Sequence, residues 1–260
     1  MTGRADLGNA HPVESGATPN GAQVSGVNVA FAGLTAAGKT THARLLAREL
    51  GYDYVSATEV MLEILRLDVA AGDAWFQRYD EIQAAREDGA ADDELDRRLL
   101  ELAASRQRTV FDTWALAWIA PDPIVRLWIE SDPASRARKC LVSQTRTRLS
   151  LPACAALCRE KDEHTRDSLH RRRGFDLFTD RDRYDLVLCN SHLIATADRA
   201  CAQRGIATFA PVVHQAVIAL LERPHPDELD RLTEVYLAEI IRIGRRVSCE
   251  PSDGGGRAMP

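Results

Sequence analysis

Gly33-Leu34-Thr35-Ala36-Ala37-Gly38-Lys39-Thr40 sets two glycines, a lysine and a hydroxyl at the spacing GxxxxGK[ST]. A loop of this kind surrounds a polyphosphate with backbone N–H groups at a helix N-terminus, where the local field favours anions. Gly33, Ala36, Ala37, Gly38 and Thr41 are expected to line the donor phosphates. Lys39 would reach the β- and γ-phosphates, and the Thr40 hydroxyl would be offered to Mg²⁺.

A second acidic position stands out. Asp112 ends the apolar run Thr109-Val110-Phe111, and a carboxylate at the C-terminal end of a parallel strand faces the crevice where ligands bind. It would hold Mg²⁺ through water or accept a hydrogen bond from an acceptor hydroxyl; a capping role is the structural alternative. Arg159, Asp162 and Arg166 recur at intervals of three and four, so one helix can carry them on one face. Phosphoryl transfer needs charge placed around the moving group rather than covalent chemistry. These arginines could supply it, with Asp162 orienting them or the acceptor; a solvated helix laced with ion pairs is the plainer reading. Asp96, Arg97 and Arg98 form another candidate cluster, and His42, without an acidic partner in the sequence, reads as a packing residue.

The surrounding elements are those such a site requires. Val27–Ala32 is a short apolar run that reads as a buried parallel strand, and Thr41–Leu50 repeats apolar residues at helical spacing. Further strands are expected at Tyr52–Ser56, Thr109–Asp112, Ile124–Ile129 and Tyr184–Cys189, with helices between them, one starting at Pro133 and another over Val212–Leu221. Parallel strands linked by helices and opened by a phosphate loop predict an α/β fold, a three-layer arrangement around a parallel central sheet with a helical lid. The expected division is a disordered leader over 1–26, a P-loop kinase domain over 27–221 (acceptor region about 56–105, lid about 141–178), a C-terminal helical extension over 222–247 and a disordered tail over 248–260. The extension, Pro226–Arg245, is read as a single helix whose apolar stripe packs on the core, forms a dimer contact or covers the acceptor site.

At 260 residues the chain can bury a substantial core, and a net charge of -5 gives no support to a nucleic-acid groove. Neither a signal-like start nor an 18-residue apolar stretch is apparent, so a cytoplasmic protein without membrane partners is expected. Six cysteines (Cys140, Cys154, Cys158, Cys189, Cys201 and Cys249) do not make a four-ligand zinc set. Reduced thiols are expected.

Taken in order, the P-loop, Gly51–Ala57, Glu94–Arg98, Val110–Trp118, Arg159–Arg166 and Tyr184–Ser191 resemble the cytidylate kinase-like branch of nucleoside monophosphate kinases over about Val27 to Leu221. The resemblance implies a parallel core sheet, an acceptor region after the second strand, a mobile arginine-bearing lid, and ATP with Mg²⁺. By position it puts Ser56 in the acceptor pocket, Arg97 or Arg98 on the acceptor phosphate, and Arg159 and Arg166 in the lid. Two departures stand against that pattern. Asp112-Thr113-Trp114 occupies the place of an Asp-Gly-Arg or Glu-Gly-Arg, and the helix after Ser56 carries no arginine before Arg66. Tryptophan in place of arginine removes a bidentate phosphate donor and adds an apolar surface on which a ring can stack. Trp114 is therefore counted among the acceptor-binding residues. Arg78, Arg106 and Arg108 are the candidates to replace the lost guanidinium groups.

These residues lead to an ATP-dependent transfer of the γ-phosphoryl group to a hydroxyl of a small molecule, nucleoside-like or a natural product, by a monomer or homodimer. Lys39, Asp112, Arg159 and Arg166 are the expected catalytic groups, and Thr40 with Asp112 the metal-holding ones. A cytidylate kinase is one alternative. A nucleotide-dependent interaction protein that only binds or hydrolyses ATP is the other.

Overall fold

The computed structural model describes residues 26–68, 78–144, 149–222 and 226–244. The expected leader as far as residue 25, the expected tail and Cys249 lie outside the described residues.

Strands β1 (Asn28–Gly33), β2 (Asp53–Ser56), β3 (Thr109–Asp112), β4 (Ile124–Glu130), β5 (Leu186–Cys189) and β6 (Ile240–Ile243) form one sheet in the order β2-β3-β1-β4-β5-β6. The first five are mutually parallel, and β6 adds to the β5 edge antiparallel. Alternate residues of the central strands enter two separate cores. Val29 and Phe31 of β1, with Leu127 and Ile129 of β4, pack beneath α1 (Lys39–Leu50) and, further along the chain, a long helix over Arg199–Leu221. Ala30, Ala32, Phe111 and Trp128 face the opposite side. Burial on both faces explains why these strands read as unbroken apolar runs.

The opposite layer contains α2 (Ala57–Leu65), α3 (Tyr79–Arg86), α4 (Ala90–Ser105) and the short α5 (Leu116–Ile119). After β4 come α6 (Pro133–Ser143) and the 23-residue α7 (Leu151–Arg173), which run antiparallel side by side, α7 being the helix of the lid. Each starts on a side-chain cap, Asp132 accepting from the Ser135 N–H at 2.7 Å and Ser150 from the Ala153 N–H at 3.3 Å. The Arg199–Leu221 helix is α8, capped by Asp198 on the Cys201 N–H at 2.7 Å. It begins thirteen residues before the expected Val212 and runs through Pro211. Burial of Phe209, Val212, Val213, Ala216 and Val217 outweighs the hydrogen bond that the proline cannot donate. Among the described residues α8 is the one helix long and apolar enough to cross a bilayer, and half of that window is buried inside the fold.

The C-terminal extension is not one helix. Helix α9 covers Pro226–Val235, and after a turn Ile240-Ile241-Arg242-Ile243 becomes β6. Three β-branched residues in four favour the strand once an open sheet edge is available. The sheet is therefore mixed rather than wholly parallel.

Candidate functional site

The turn from β1 into α1 requires its glycines. Gly33 has φ +148°, and a Cβ there would lie 2.7 Å from the Ile129 carbonyl oxygen. Gly38 sits at the N-cap of α1 with φ +102° and no side-chain cap, which leaves the opening turn of the helix to an external acceptor. Ala36 adopts φ +60° without being glycine, a conformation that costs about 1–2 kcal/mol. Three neighbours hold the loop in this shape. Asn190 Nδ2 donates to the Ala37 carbonyl at 2.9 Å, Arg136 to the Thr35 carbonyl at 3.2 Å, and the Thr35 N–H donates to Asp162 at 2.8 Å.

Inside the loop Lys39 Nζ donates to the carbonyls of Gly33 at 2.7 Å and Leu34 at 2.9 Å. Burial lowers its pKa, against the pull of Asp112 and Asp162. Thr40 Oγ1 donates to Asp112 at 2.5 Å, and the Tyr54 hydroxyl donates to the same carboxylate oxygen at 3.1 Å. A hydroxyl beside one carboxylate is a sparse, hard-oxygen set. It fits Mg²⁺, which keeps several waters and takes its remaining ligands from substrate phosphates. Among the described residues no cluster of three or more His, Cys, Asp or Glu is placed to hold a different metal. Trp114 lies beside this pair of elements, with Lys39 Nζ 5.5 Å and Lys161 Nζ 5.8 Å from its ring.

Helix α7 turns a different set of charges inward from the one expected. Cys154, Cys158, Lys161, Asp162, Thr165, Ser168 and Leu169 are its buried residues. At ~100° per residue, Arg159 and Arg166 fall roughly 100° or more from the centre of that stripe. Arg159 is exposed. Arg166 pairs with Asp176 and stacks over Phe178. Asp162 is committed elsewhere too. It is 1% exposed, forms an ion pair with buried Arg136 and accepts the Thr35 N–H, so it braces the P-loop rather than facing an acceptor. A lid cation that does line the cleft is Lys161, whose pKa is lowered to about 7 by burial, with Lys39 adding repulsion.

A cavity of about 580 Å³ runs past the P-loop. At one end Lys139, Asn190, Ile194, Ile206 and Phe209 line it. Lys139 donates to Asn190 and to Ser131, and burial lowers its pKa to about 8. His42 packs edge-on against Phe209 with ring centroids 4.9 Å apart; burial lowers its pKa to about 4.

At the other end stand Ser56, Arg86, Asp92, Asp96 and Arg172. Ser56 caps α2, accepting the Glu59 N–H at 3.3 Å. Arg86 grips Asp92 at 2.7 and 3.3 Å, and Ser168 donates to that carboxylate at 2.8 Å. Burial opposes ionisation of Asp92, but Arg86 prevails and its pKa is lowered. Arg172 donates to Asp96 at 2.6 Å, which Arg173 also contacts. These bonds dock the end of the lid helix on α4.

Arg97 and Arg98, expected on an acceptor phosphate, are not at the cleft. They pair with Glu94 and Glu101 on the outer surface of α4, and their contacts hold the Glu94 carboxyl down at about 2. None of Arg78, Arg106 and Arg108 lines the cavity: Arg78 pairs with Glu81, Arg106 is exposed and Arg108 stacks on Tyr52. Arg86, Lys161 and Arg172 line the cavity instead; Lys161 and Arg172 belong to the charged run of the lid without being singled out in it, and Arg86 was not expected. The signal that would have found Lys161 and Arg172 was the row Cys154, Cys158, Thr165 and Leu169, which marks the inner face of α7.

A phosphate loop between β1 and α1, an acid on the neighbouring strand and a helical lid over a parallel sheet define a P-loop phosphotransferase of the nucleoside monophosphate kinase type. The chain belongs to the cytidylate kinase-like family, whose model matches residues 28–192, more than half of its length. It is an ATP-dependent phosphotransferase. Among curated proteins it is similar to a cytidylate kinase of Natronomonas pharaonis, 25% identical over 70% of this chain and 91% of that protein. A cytidylate kinase of Halobacterium salinarum is 28% identical over 58% of this chain and 76% of that protein. Among solved structures, a shikimate kinase from Bacteroides thetaiotaomicron aligns with a TM-score of 0.41 and 14% identity, over 72% of this chain and 98% of that one. A likeness that distant says nothing about the acceptor.

Proposed function

We propose that this chain transfers the γ-phosphoryl group of ATP to a nucleoside monophosphate, with cytidylate the first acceptor to test. The observation that carries this reading is one cleft along the P-loop whose lining includes both the apolar Ile194, Ile206 and Phe209 and the guanidinium groups of Arg86 and Arg172. The apolar end suits the base of the donor, and the guanidinium groups suit a phosphate-bearing acceptor. The family and the curated relatives named cytidylate kinase support the same acceptor class.

In this reading the backbone from Gly33 to Thr41 holds the triphosphate. Lys39 exchanges its two carbonyl partners for phosphate oxygens, gaining a charged acceptor for neutral ones. Thr40 and Asp112 would hold Mg²⁺, and the ion would supply positive charge to the phosphate oxygens. The attacking phosphate oxygen has no proton to give, so Asp112 serves as the acceptor for Thr40 and Tyr54 and as a metal-holding group, with Tyr54 fixing the orientation of the carboxylate. Lys161 stands over the transferring group in the role first expected of Arg159 and Arg166, and Trp114 keeps water from it.

A second reading rests on one specific observation. Arg86 and Arg172 each already hold a buried carboxylate, and Trp114 stands where a phosphate-binding arginine is expected. An acceptor without a phosphate, its hydroxyl beside Asp112, would need no rearrangement of those pairs. The test is ADP formation with CMP, UMP, dCMP, cytidine and hydroxylated metabolites as acceptors. The highest kcat/KM with CMP is the expected result. A higher value with an unphosphorylated acceptor favours the second reading, and no stimulation above hydrolysis sinks both.

A further inference from the structure

The seam between α6 and α7 is paired in steps of four residues along both helices. Arg136 pairs with Asp162 and Gln144 Nε2 lies 3.4 Å from Cys154 Sγ, and midway between these pairs the same register sets Cys140 opposite Cys158 in one buried cluster. The three thiols are free and buried, and they form one small cluster that Ala36 of the P-loop touches. Of the three, Cys140 lines the cleft, so a small solute can approach the pair from the nucleotide side. Nothing in the phosphotransfer chemistry uses a thiol.

We propose that Cys140 and Cys158 form a dithiol–disulfide site, oxidised by a small hydroperoxide, that fastens the lid helix to α6 beside the phosphate loop. Their places on facing turns of antiparallel helices set the two thiols in the same buried cluster. The thiolate of one cysteine of the pair attacks one oxygen of the hydroperoxide, the O–O bond breaks, and the departing oxygen leaves as water or alcohol after taking a proton. The sulfur of the other cysteine then attacks the sulfenic sulfur, the S–O bond breaks, and water departs with that cysteine's proton; Cys140, which lines the cleft, is the one that meets the peroxide first. Two thiols and one hydrogen peroxide thus give one disulfide and two waters, the two electrons passing from sulfur to oxygen.

The bridge would lie one helical turn from the Arg136–Asp162 brace. It would prevent α7 from lifting away from α6, and so slow nucleotide exchange. Cys154, whose sulfur meets Gln144, is the bystander.

The test uses the full chain treated with hydrogen peroxide, alkylated and digested with trypsin without reduction. Cleavage after Lys139, Arg146, Arg148 and Arg159 puts Cys140 in one peptide and both Cys154 and Cys158 in another. The expected result is a linked pair of these peptides that persists in Cys154→Ser, disappears in Cys158→Ser and Cys140→Ser, and reverts with dithiothreitol. Loss of phosphotransfer that follows the linked fraction, and returns with dithiothreitol, is expected of the wild type. Peroxide that oxidises the remaining cysteines without linking these peptides overturns the proposal, as does a link that persists in Cys158→Ser. The mass readout is independent of the acceptor, so its failure is distinct from a failure of the proposed reaction.

Discussion

Replacing Asp162 with asparagine separates a bracing role from an acceptor-binding one. Asp162 is 1% exposed and Arg136 7% exposed, so the pair is held away from water. Asparagine keeps the shape and removes the charge, which strands the Arg136 guanidinium in a buried setting. Breaking a buried pair in this way costs about 3–5 kcal/mol. At ~2–4 °C per kcal/mol for a domain of this size, the melting temperature should fall by roughly 6–20 °C. Urea unfolding followed by circular dichroism measures the same loss as a lower midpoint with unchanged slope. A second variant separates charge from packing. Arg136→Met combined with Asp162→Leu removes both charges and should recover most of the stability, because a buried pair is often no better than apolar residues of similar volume. A loss below ~1 kcal/mol in Asp162→Asn, accompanied by a raised KM for the acceptor alone, would refute the brace and return Asp162 to the acceptor site.

Other outcomes follow from the same geometry. Asp112→Asn should cut kcat by ~10²–10³-fold, by analogy with the loss of one preorganised electrostatic contact; turnover within a factor of two of wild type would contradict the role of Asp112. Lys161 starts with a pKa of about 7, and a bound triphosphate favours its charged form, so binding should take up protons above pH 7. Near pH 8 that uptake should approach ~1 proton per site from Lys161. Calorimetry in buffers of different ionisation enthalpy measures it. Lys39 and Lys139 also face the cleft with lowered values, so the comparison is with Lys161→Met; equal uptake in the two proteins would count against Lys161. Trp114→Arg should improve kcat/KM for monophosphates relative to unphosphorylated acceptors by ~10-fold or more, the worth of one charge-assisted contact; an unchanged ranking removes Trp114 from the specificity argument.

The parts of this site that were readable from sequence are those whose chemistry fixes their spacing. The P-loop admits few alternatives, since Gly33 and Gly38 answer to a backbone angle and a 2.7 Å approach rather than to packing. The central parallel strands were readable because both of their faces are buried. Charge runs carry no such information. Arg97, Arg159 and Arg172 look alike in a polar stretch, and only the neighbouring apolar and small residues tell which way a helix turns. Arg86 acquires its meaning from Asp92 and from the lid that closes over both. The switch from helix to strand at Ile240 depends on an open β5 edge, a tertiary fact that local periodicity does not contain.

The central claim is that this cleft moves a phosphoryl group from ATP to an acceptor that already bears a phosphate. Incubating the protein with ATP labelled at the γ-position, Mg²⁺ and CMP, then separating the products, tests it most directly. Label recovered in CDP, and lost on Lys39→Ala in a protein that still melts cooperatively, is the expected result. Label found in inorganic phosphate alone, or in CDP at the same rate without Lys39, would contradict it.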